Sequence, residues 1–354
     1  MSEFFTRALS ALDPYTPGEQ PQGKKYIKLN TNESPFPPSP WVVEAVNSQE
    51  VENLRLYSDP TVAKLCSAIA SHYNLEPENV ICGNGSDELL GFAIRAFCDK
   101  DCALACPDIT YGFYKVWCKL WGVANHVIPL QEDFSINTAE YEHLGETILL
   151  ANPNAPTGKA LSRAQIEKIL QTNSDSVVII DEAYIDFGGE SCVPLIAKYP
   201  NLLVVQTYSK SRSLAGARLG FALGQKALIA DLNRIKYSFN PYNINRLTTV
   251  AGIAAMLDGD YFKKCTQAII KSRAWTTEQL RGLGFTVLDS LTNFVFAKTD
   301  EMPGGELYEA LKKAGILVRH FDSPRTRDWL RITIGSQGEM ESLVAAIRQI
   351  LQKE

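Results

Sequence analysis

Residues 201–221 read "NLLVVQTYSKSRSLAGARLGF". The run "LLVV" has no polar alternation, so it reads as a strand buried on both faces, the kind that builds a covered parallel sheet. The residues after it are of opposite character. Hydroxyls, glycines and three cations crowd together: Lys210 and Arg212 alternate with serines, and Arg218 stands between Ala217 and Leu219. In a wound sheet, ligands sit beyond the carboxyl ends of the strands. The same pattern recurs upstream. "VICGNGSDELLGFAIRAF" (80–97) is strand, glycine turn and helix. "TILLANPNAPTG" (147–158) is a strand ending in asparagines, and "SVVIIDEAY" (176–184) is a strand ending in carboxylates. "CALAC" (102–106) is a further short strand, and "SRAQIEKILQTN" (162–173) has helical periodicity. Strands alternating with helices predict an α/β fold with a mostly parallel sheet flanked by helices.

The chain around this segment divides in three. The first 30 residues are rich in proline and turn formers and read as an extended N-terminal arm. Residues 31–250 form the large domain. From Asn240 a long helical stretch leads into smaller strand and helix units, so residues 251–354 are expected as a smaller α/β C-terminal domain. The 354 residues carry a formal net charge of -5, with 45% hydrophobic and 21% charged residues. That balance is ordinary for a globular protein and argues against nucleic acid as a partner, which would call for a basic face. No apolar run approaches the roughly 20 residues that span a bilayer. The opening "MSEFFTRALSALDPYTPGE" lacks a signal peptide's basic flank and apolar stretch. None of the eight cysteines forms a C-x-x-C pair, so reduced core thiols and a cytoplasmic location are expected. Cys98, Cys102 and Cys106 are four apart, but "DCALACP" reads as a strand and does not put them on one helix face. No metal is expected.

The strand ends carry the chemistry. Gly83-Asn84-Gly85-Ser86-Asp87 opens a helix, where free N–H groups and the positive dipole end hold phosphate. A dinucleotide fingerprint would need glycine at Glu88, and a Walker loop would need G-K-[ST]. Taken alone, the turn is equally a capped helix start. Asp181 ends an apolar strand, and a buried carboxylate there demands a cation or several donors. Lys210 comes 29 residues later, about one βαβ unit, so both belong at one sheet edge. A lysine becomes a nucleophile where nearby cations lower its pKa, and Arg218 is a candidate. Phosphate cradle, carboxylate, lysine and arginine together point to pyridoxal 5'-phosphate, which has a phosphate, an aldehyde and a basic ring nitrogen. Arg331 in the alternating strand "WLRITIG" and Arg319 with His320 in "VRHF" offer sites for a substrate anion.

On these motifs the chain resembles the fold-type I pyridoxal-phosphate aminotransferases. "NTNESPFPPSP", "LYSDP", "GNGSDELL", "NPNAPTG", "DEAYIDF", "YSKSRSLAGARLGF", "NPYNIN", "TNFVF", "VRHF" and "LRITIG" succeed one another in that family's order. Within the class the likeness is to members that transaminate histidinol phosphate. The resemblance implies a seven-stranded large-domain sheet and a two-fold homodimer with shared active sites. It implies ping-pong exchange with 2-oxoglutarate through a Schiff base on Lys210. Asp181 would pair with the ring nitrogen, Asn154 and Tyr184 would contact the ring's phenolic oxygen, and Tyr111 would stack on the ring. Gly85, Ser86, Asp87, Ser209 and Arg218 would hold the phosphate, with Tyr57 reaching it from the other subunit. Arg331 and Arg319, with Tyr15 and Asn154 nearby, would bind substrate. Two departures stand out. Ser58 replaces a proline, and Lys210 is followed by Ser211 and Arg212, the latter expected at the surface. Alternatives on the same scaffold are an aromatic or other amino-acid aminotransferase and a threonine-phosphate decarboxylase.

Overall fold

A computed structural model describes residues 4–20, 23 and 25–352. The strands run in chain order as β1 (Ile27–Lys28), β2 (Val80–Gly83), β3 (Leu104–Pro107), β4 (Asn125–Ile128), β5 (Thr147–Ala151), β6 (Val178–Asp181), β7 (Leu202–Thr207), β8 (Gly220–Gly224), β9 (Thr286–Val287), β10 (Phe294–Lys298), β11 (Ile316–Leu317), β12 (Arg319–His320) and β13 (Leu330–Thr333). Seven of them form one sheet in the order β2-β8-β7-β6-β5-β3-β4. The pairs from β7 through β4 are parallel, as the continuous apolar runs predict. Side chains alternate across this sheet. Ile148, Leu150, Val178, Ile180, Leu202 and Val204 enter one core, while Leu149, Ile179, Leu203 and Val205 enter the core on the other side. Helices cover both faces, which is why these strands lack the polar alternation of a half-exposed sheet.

β8 is the exception to the parallel rule. It runs antiparallel to both β2 and β7. Its first residue therefore lies at the edge where its neighbours end: Gly220 is opposite Gly83 on one side and Thr207 on the other. Two residues back along β7 from Thr207, Ala151, Asp181 and Val205 are aligned across β5, β6 and β7. The four motif loops thus meet at a single rim.

A second sheet, β12-β13-β10-β9, is antiparallel. It packs with the helices Gly259–Gly282, Gly304–Lys313 and Gln337–Ile350 around a core that holds Ile269, Val295, Leu307, Ile332 and Leu343. The end of the segment expected as an extended arm is built into this unit. β1 pairs in parallel with β11, and Leu29 is buried in the same core. The helix Arg246–Leu257 packs instead with the large sheet through Ala251, Ala254, Ala255 and Met256. Among the described residues, no helix is long and apolar enough to cross a membrane.

Candidate active site

At the rim, Lys210 leaves the end of β7, Asp181 ends β6, and the helix Ser86–Phe97 starts directly after the Gly85 turn. Arg218 precedes β8 in a left-handed conformation (φ 53°) and forms an ion pair with Asp87 at 3.1 Å. Asp87 also accepts the Tyr111 hydroxyl at 2.9 Å. These side chains, with Ser86, Ser209, Ala183 and Tyr184, wall a cavity of about 330 Å3. A wider cavity of about 670 Å3 shares Lys210, Asp87, Tyr111 and Tyr184 and extends to Tyr15, Arg319 and Arg331.

The Gly85 turn is a tight cradle. Gly85 has φ +82°, and a Cβ there would lie 2.5 Å from the Arg218 guanidinium. A Cβ on Gly220 would lie 2.4 Å from the Ser86 backbone nitrogen. Asn84 N–H donates to Glu88 and Gly85 N–H to the Gly83 carbonyl. The first N–H groups of the helix have no partner within it and are suited to an anion beside Arg218.

Burial sets the electrostatics. Asp181 is held by the Tyr114 hydroxyl at 2.7 Å and by the Ala183 N–H at 3.1 Å, but desolvation outweighs both and raises its carboxyl to about 6. Such a group favours a cation brought to it. Burial, with Arg331 adding to it, lowers the Lys210 amine to about 8. Its Nζ donates to the Thr31 carbonyl at 3.2 Å and lies 5.9 Å from the Tyr184 ring. A pyridine ring with an aldehyde and a phosphate fits these donors: carboxylate at one end, amine beside the ring, cradle at the other.

The far wall of the wider cavity is cationic. Arg319 and Arg331 are directly opposite on β12 and β13 and share a face. Arg331 lies between the Phe294 and Phe321 rings, 5.4 and 5.7 Å from their centroids. One of its nitrogens donates to the Asn30 carbonyl at 2.9 Å, and its buried Nε has no partner among the described residues. A half-buried guanidinium with no acid paired to it among the described residues is a site for a planar anion. Arg319 is partnered more loosely, with the Thr16 carbonyl at 3.4 Å. Tyr15 packs against Tyr111 and Phe113 at the mouth.

Four residues fall elsewhere. The Asn154 amide is spent within its loop and on the segment after β3, donating to Thr157 and the Ile109 carbonyl and accepting from Thr110. Asn154 borders a separate cavity, while Ala155 lines both cavities of the site. His320 turns to the opposite side of β12 and meets the Arg327 carbonyl and Tyr308. Arg212 is not at the surface: it is 7% exposed, donates to the Ala255 carbonyl and lies 4.4 Å from the Phe262 ring centroid. Tyr57 is 81% exposed and stacks on Tyr242, outside the cavity of its own chain. Three working residues escape a reading of the sequence. Tyr114 is hidden because only the fold brings it to Asp181. Thr31 and Asn32 lie in the "NTNESPF" motif, whose polar residues at a turn carry no chemistry until the fold closes over Lys210.

The family model "Aminotransferase class I and II" matches residues 24–347. This chain belongs to the class I and II aminotransferases. It is 51% identical over 353 residues to the histidinol-phosphate aminotransferase of Marinomonas sp. (strain MWYL1), covering 99% of this chain and all of that one. It is 49% identical, with the same coverage, to the histidinol-phosphate aminotransferase of Brachyspira hyodysenteriae. Among solved structures, the histidinol-phosphate aminotransferase of Sinorhizobium meliloti in complex with pyridoxal-5'-phosphate superposes with a TM-score of 0.89 at 26% identity, covering 99% of this aminotransferase and 98% of that chain.

Proposed function

We propose that this aminotransferase uses pyridoxal 5'-phosphate to exchange the amino group of histidinol phosphate with 2-oxoglutarate, giving imidazole acetol phosphate and glutamate, a step of histidine biosynthesis. The observation that carries the reading is the Arg331 guanidinium, whose Nε has no partner among the described residues, in a cavity shared with Lys210. Glutamate brings two carboxylates and histidinol phosphate a phosphate but no carboxylate. One cationic wall must serve both, and Arg331 with Arg319 supplies it. Full-length identity near one half to proteins of that name supports the substrate.

When bound, the cofactor supplies an aldehyde that condenses with amines and a ring that takes up the electron pair left when a carbon loses its proton. The chain does the rest. Gly85, Ser86, Asp87, Ser209 and Arg218 would hold the phosphate. Asp181 would hold the ring nitrogen's proton. Tyr184 would address the phenolic oxygen, and Tyr111 would lie against the ring. Lys210, with its amine near 8, is free base in part at neutral pH and takes and returns the proton of the substrate carbon that bears nitrogen. Asn154 acts through its loop. The Phe294 and Phe321 faces exclude water from Arg331 and strengthen its hold on an anion.

The reading includes a homodimer in which Tyr57 completes the partner's site. An exposed apolar surface supports it: Trp41, Val43, Val51, Leu54, Leu56, Tyr57, Tyr242 and Leu257 are all large and exposed. On the packing of the helix Arg246–Leu257, the smaller domain is taken to begin near Asp258 rather than at 251. A cytoplasmic location belongs to the same reading, supported by eight cysteines that are all free.

The test is a half-reaction comparison. Histidinol phosphate, histidinol, phenylalanine and threonine phosphate are each mixed with loaded enzyme, and kcat/KM is read from the loss of cofactor absorbance. Histidinol phosphate is expected to lead, with histidinol far slower. Phenylalanine matching it would replace the reading with an aromatic aminotransferase, and carbon dioxide release from threonine phosphate with a decarboxylase.

A further inference from the structure

We propose that Asn32 is a positioning residue that dictates the direction in which the Tyr184 hydroxyl donates. Asn32 is 1% exposed and sits in the left-handed region, φ 56°, which asparagine enters more readily than most side chains. All four of its polar groups are engaged. Its N–H donates to Thr333 Oγ1 at 3.0 Å, and its carbonyl accepts from Asn293 Nδ2 at 2.9 Å. The Thr333 hydroxyl donates to Asn32 Oδ1 at 3.0 Å, and Asn32 Nδ2 donates to Tyr184 Oη at 2.9 Å.

One set of protons satisfies every group here. Thr333 Oγ1 accepts from the Asn32 N–H and gives its own hydrogen to Oδ1. With the amide turned over, Oγ1 would accept a second time, and its hydrogen, on a residue 2% exposed, would have no acceptor among the described residues. That fixes the amide with its NH2 group toward Tyr184. An amide NH2 cannot accept, so Tyr184 Oη must be the acceptor in this contact. Its hydrogen is then left for another partner. Among the described residues Tyr184 Oη makes no other hydrogen bond, and the residue lines both cavities of the site. The hydroxyl therefore faces the site as a donor, ready for an anionic oxygen. With Asn154 turned into its loop, this is the neutral donor that remains for the ring's phenolic oxygen. That last step rests on the proposed cofactor.

The neighbours of Asn32 act on the same groups. The Asn30 carbonyl accepts from Arg331 and the Thr31 carbonyl from Lys210. Three successive residues thus touch the anion-binding arginine, the lysine and the tyrosine. The strap they form is anchored through Thr333 and Asn293 to β13 and the start of β10, two strands of the sheet that carries Arg331.

The experiment tracks the visible absorbance of the pyridoxal-phosphate-loaded protein as pH is varied. Lys210, Arg331, Asp181 and Tyr15 also act on Tyr184, so charge effects must be separated from donor direction. A donor on the ring oxygen draws electron density from the site that shares the proton of the lysine nitrogen, so losing the donor raises the pH of the spectral change. Asn32→Asp turns the donor into an acceptor and pulls the tyrosine hydrogen away from the site. It is expected to raise the transition by about one pH unit, the size carried by one hydrogen bond to a charged group. Tyr184→Phe should shift it the same way, and adding Asn32→Asp to Tyr184→Phe should shift it no further. An equal shift in the phenylalanine background would mean that charge alone acts and would overturn the proposal, as would no shift in Asn32→Asp. Thr333→Val keeps Asn32 but frees its amide to turn, and a smaller shift of the same sign is expected. If Asn32→Asp fails to fold, an unshifted Thr333→Val overturns the proposal by itself. A wild-type protein that takes up no cofactor and shows no visible band would instead overturn the proposed function, and this inference with it.

Discussion

Asp181 shows how one position serves two states of the protein with opposite signs. Its carboxyl is buried at the end of an apolar strand and rises to about 6 because two hydrogen bonds do not offset desolvation. An acid whose folded value lies above its unfolded value of about 4 weakens the fold when it ionises. The penalty grows as pH rises from about 4 to about 6 and is fully present above that. Cofactor-free Asp181→Asn should therefore melt higher than the cofactor-free wild type at pH 7.5, with the gap closing toward pH 4. Loaded enzyme should show the reverse in activity, with kcat falling by orders of magnitude once the ring nitrogen's proton loses its carboxylate. A calorimetric scan at the two pH values and one turnover assay check both halves. An Asn variant that melts lower at pH 7.5 would refute the assignment of desolvation as the dominant effect. Asp181 was legible in the sequence because a carboxylate ended an apolar run. Its partner Tyr114 was not, since that contact spans 67 residues and arises only when helix and strand pack.

The strands were legible where burial on both faces leaves uninterrupted Val, Ile and Leu, and the polar loops at their ends marked the rim. The direction of β8 was not legible, because "GFALG" looks the same run either way. That direction matters to the site. As an antiparallel strand, β8 brings its first residue, not its last, to the rim, and Arg218 comes with it. Loop geometry hid a second feature: "NPNAPTG" offers two asparagines, yet the turn presents Ala155 to the site and folds Asn154 inward. Arg212 reads as a surface residue from its neighbours in sequence and is buried because Phe262 and the Ala255 carbonyl close over it. The crossing of β8 with the helix start leaves no room for a side chain. Gly220→Ala would drive a methyl group against the Ser86 and Gly85 backbone, which cannot rotate away as a side chain would. Overpacking of this kind costs about 1–3 kcal/mol. Because the displaced groups form the proposed phosphate cradle, the loss should appear as roughly 5- to 150-fold weaker cofactor binding. Equilibrium titration of cofactor-free protein with pyridoxal phosphate measures it. Unchanged affinity would place the phosphate elsewhere.

A single chain leaves Tyr57 without a role. Its ring is 81% exposed and stacked on Tyr242 at 4.6 Å; Leu54 and Leu56 are exposed as well, as are Trp41 and Leu257 on two helices that pack together. Large apolar groups left exposed mark an interface. A two-fold axis through that surface would let each chain offer Tyr57 to the other's phosphate cradle, since a symmetric contact repeats itself on both sides. The idea is decided by mixing two faulty chains. Lys210→Ala removes the amine and leaves Tyr57 intact. Tyr57→Phe removes the hydroxyl and leaves Lys210 intact. If sites are shared, a hybrid dimer has one site with both faults and one with neither. Random exchange makes about half of all dimers hybrids, so about one quarter of the sites become whole. Activity should climb toward that fraction of wild type after the two variants are unfolded and refolded together, and should not climb when they are merely combined without exchange. If each chain used its own Tyr57, the Lys210→Ala sites would stay dead and the Tyr57→Phe sites unchanged. Mixing would then give only the average of the two parents. Light scattering supplies the independent check, because a particle of 39.2 kDa, the mass of one chain, leaves no partner to lend a tyrosine.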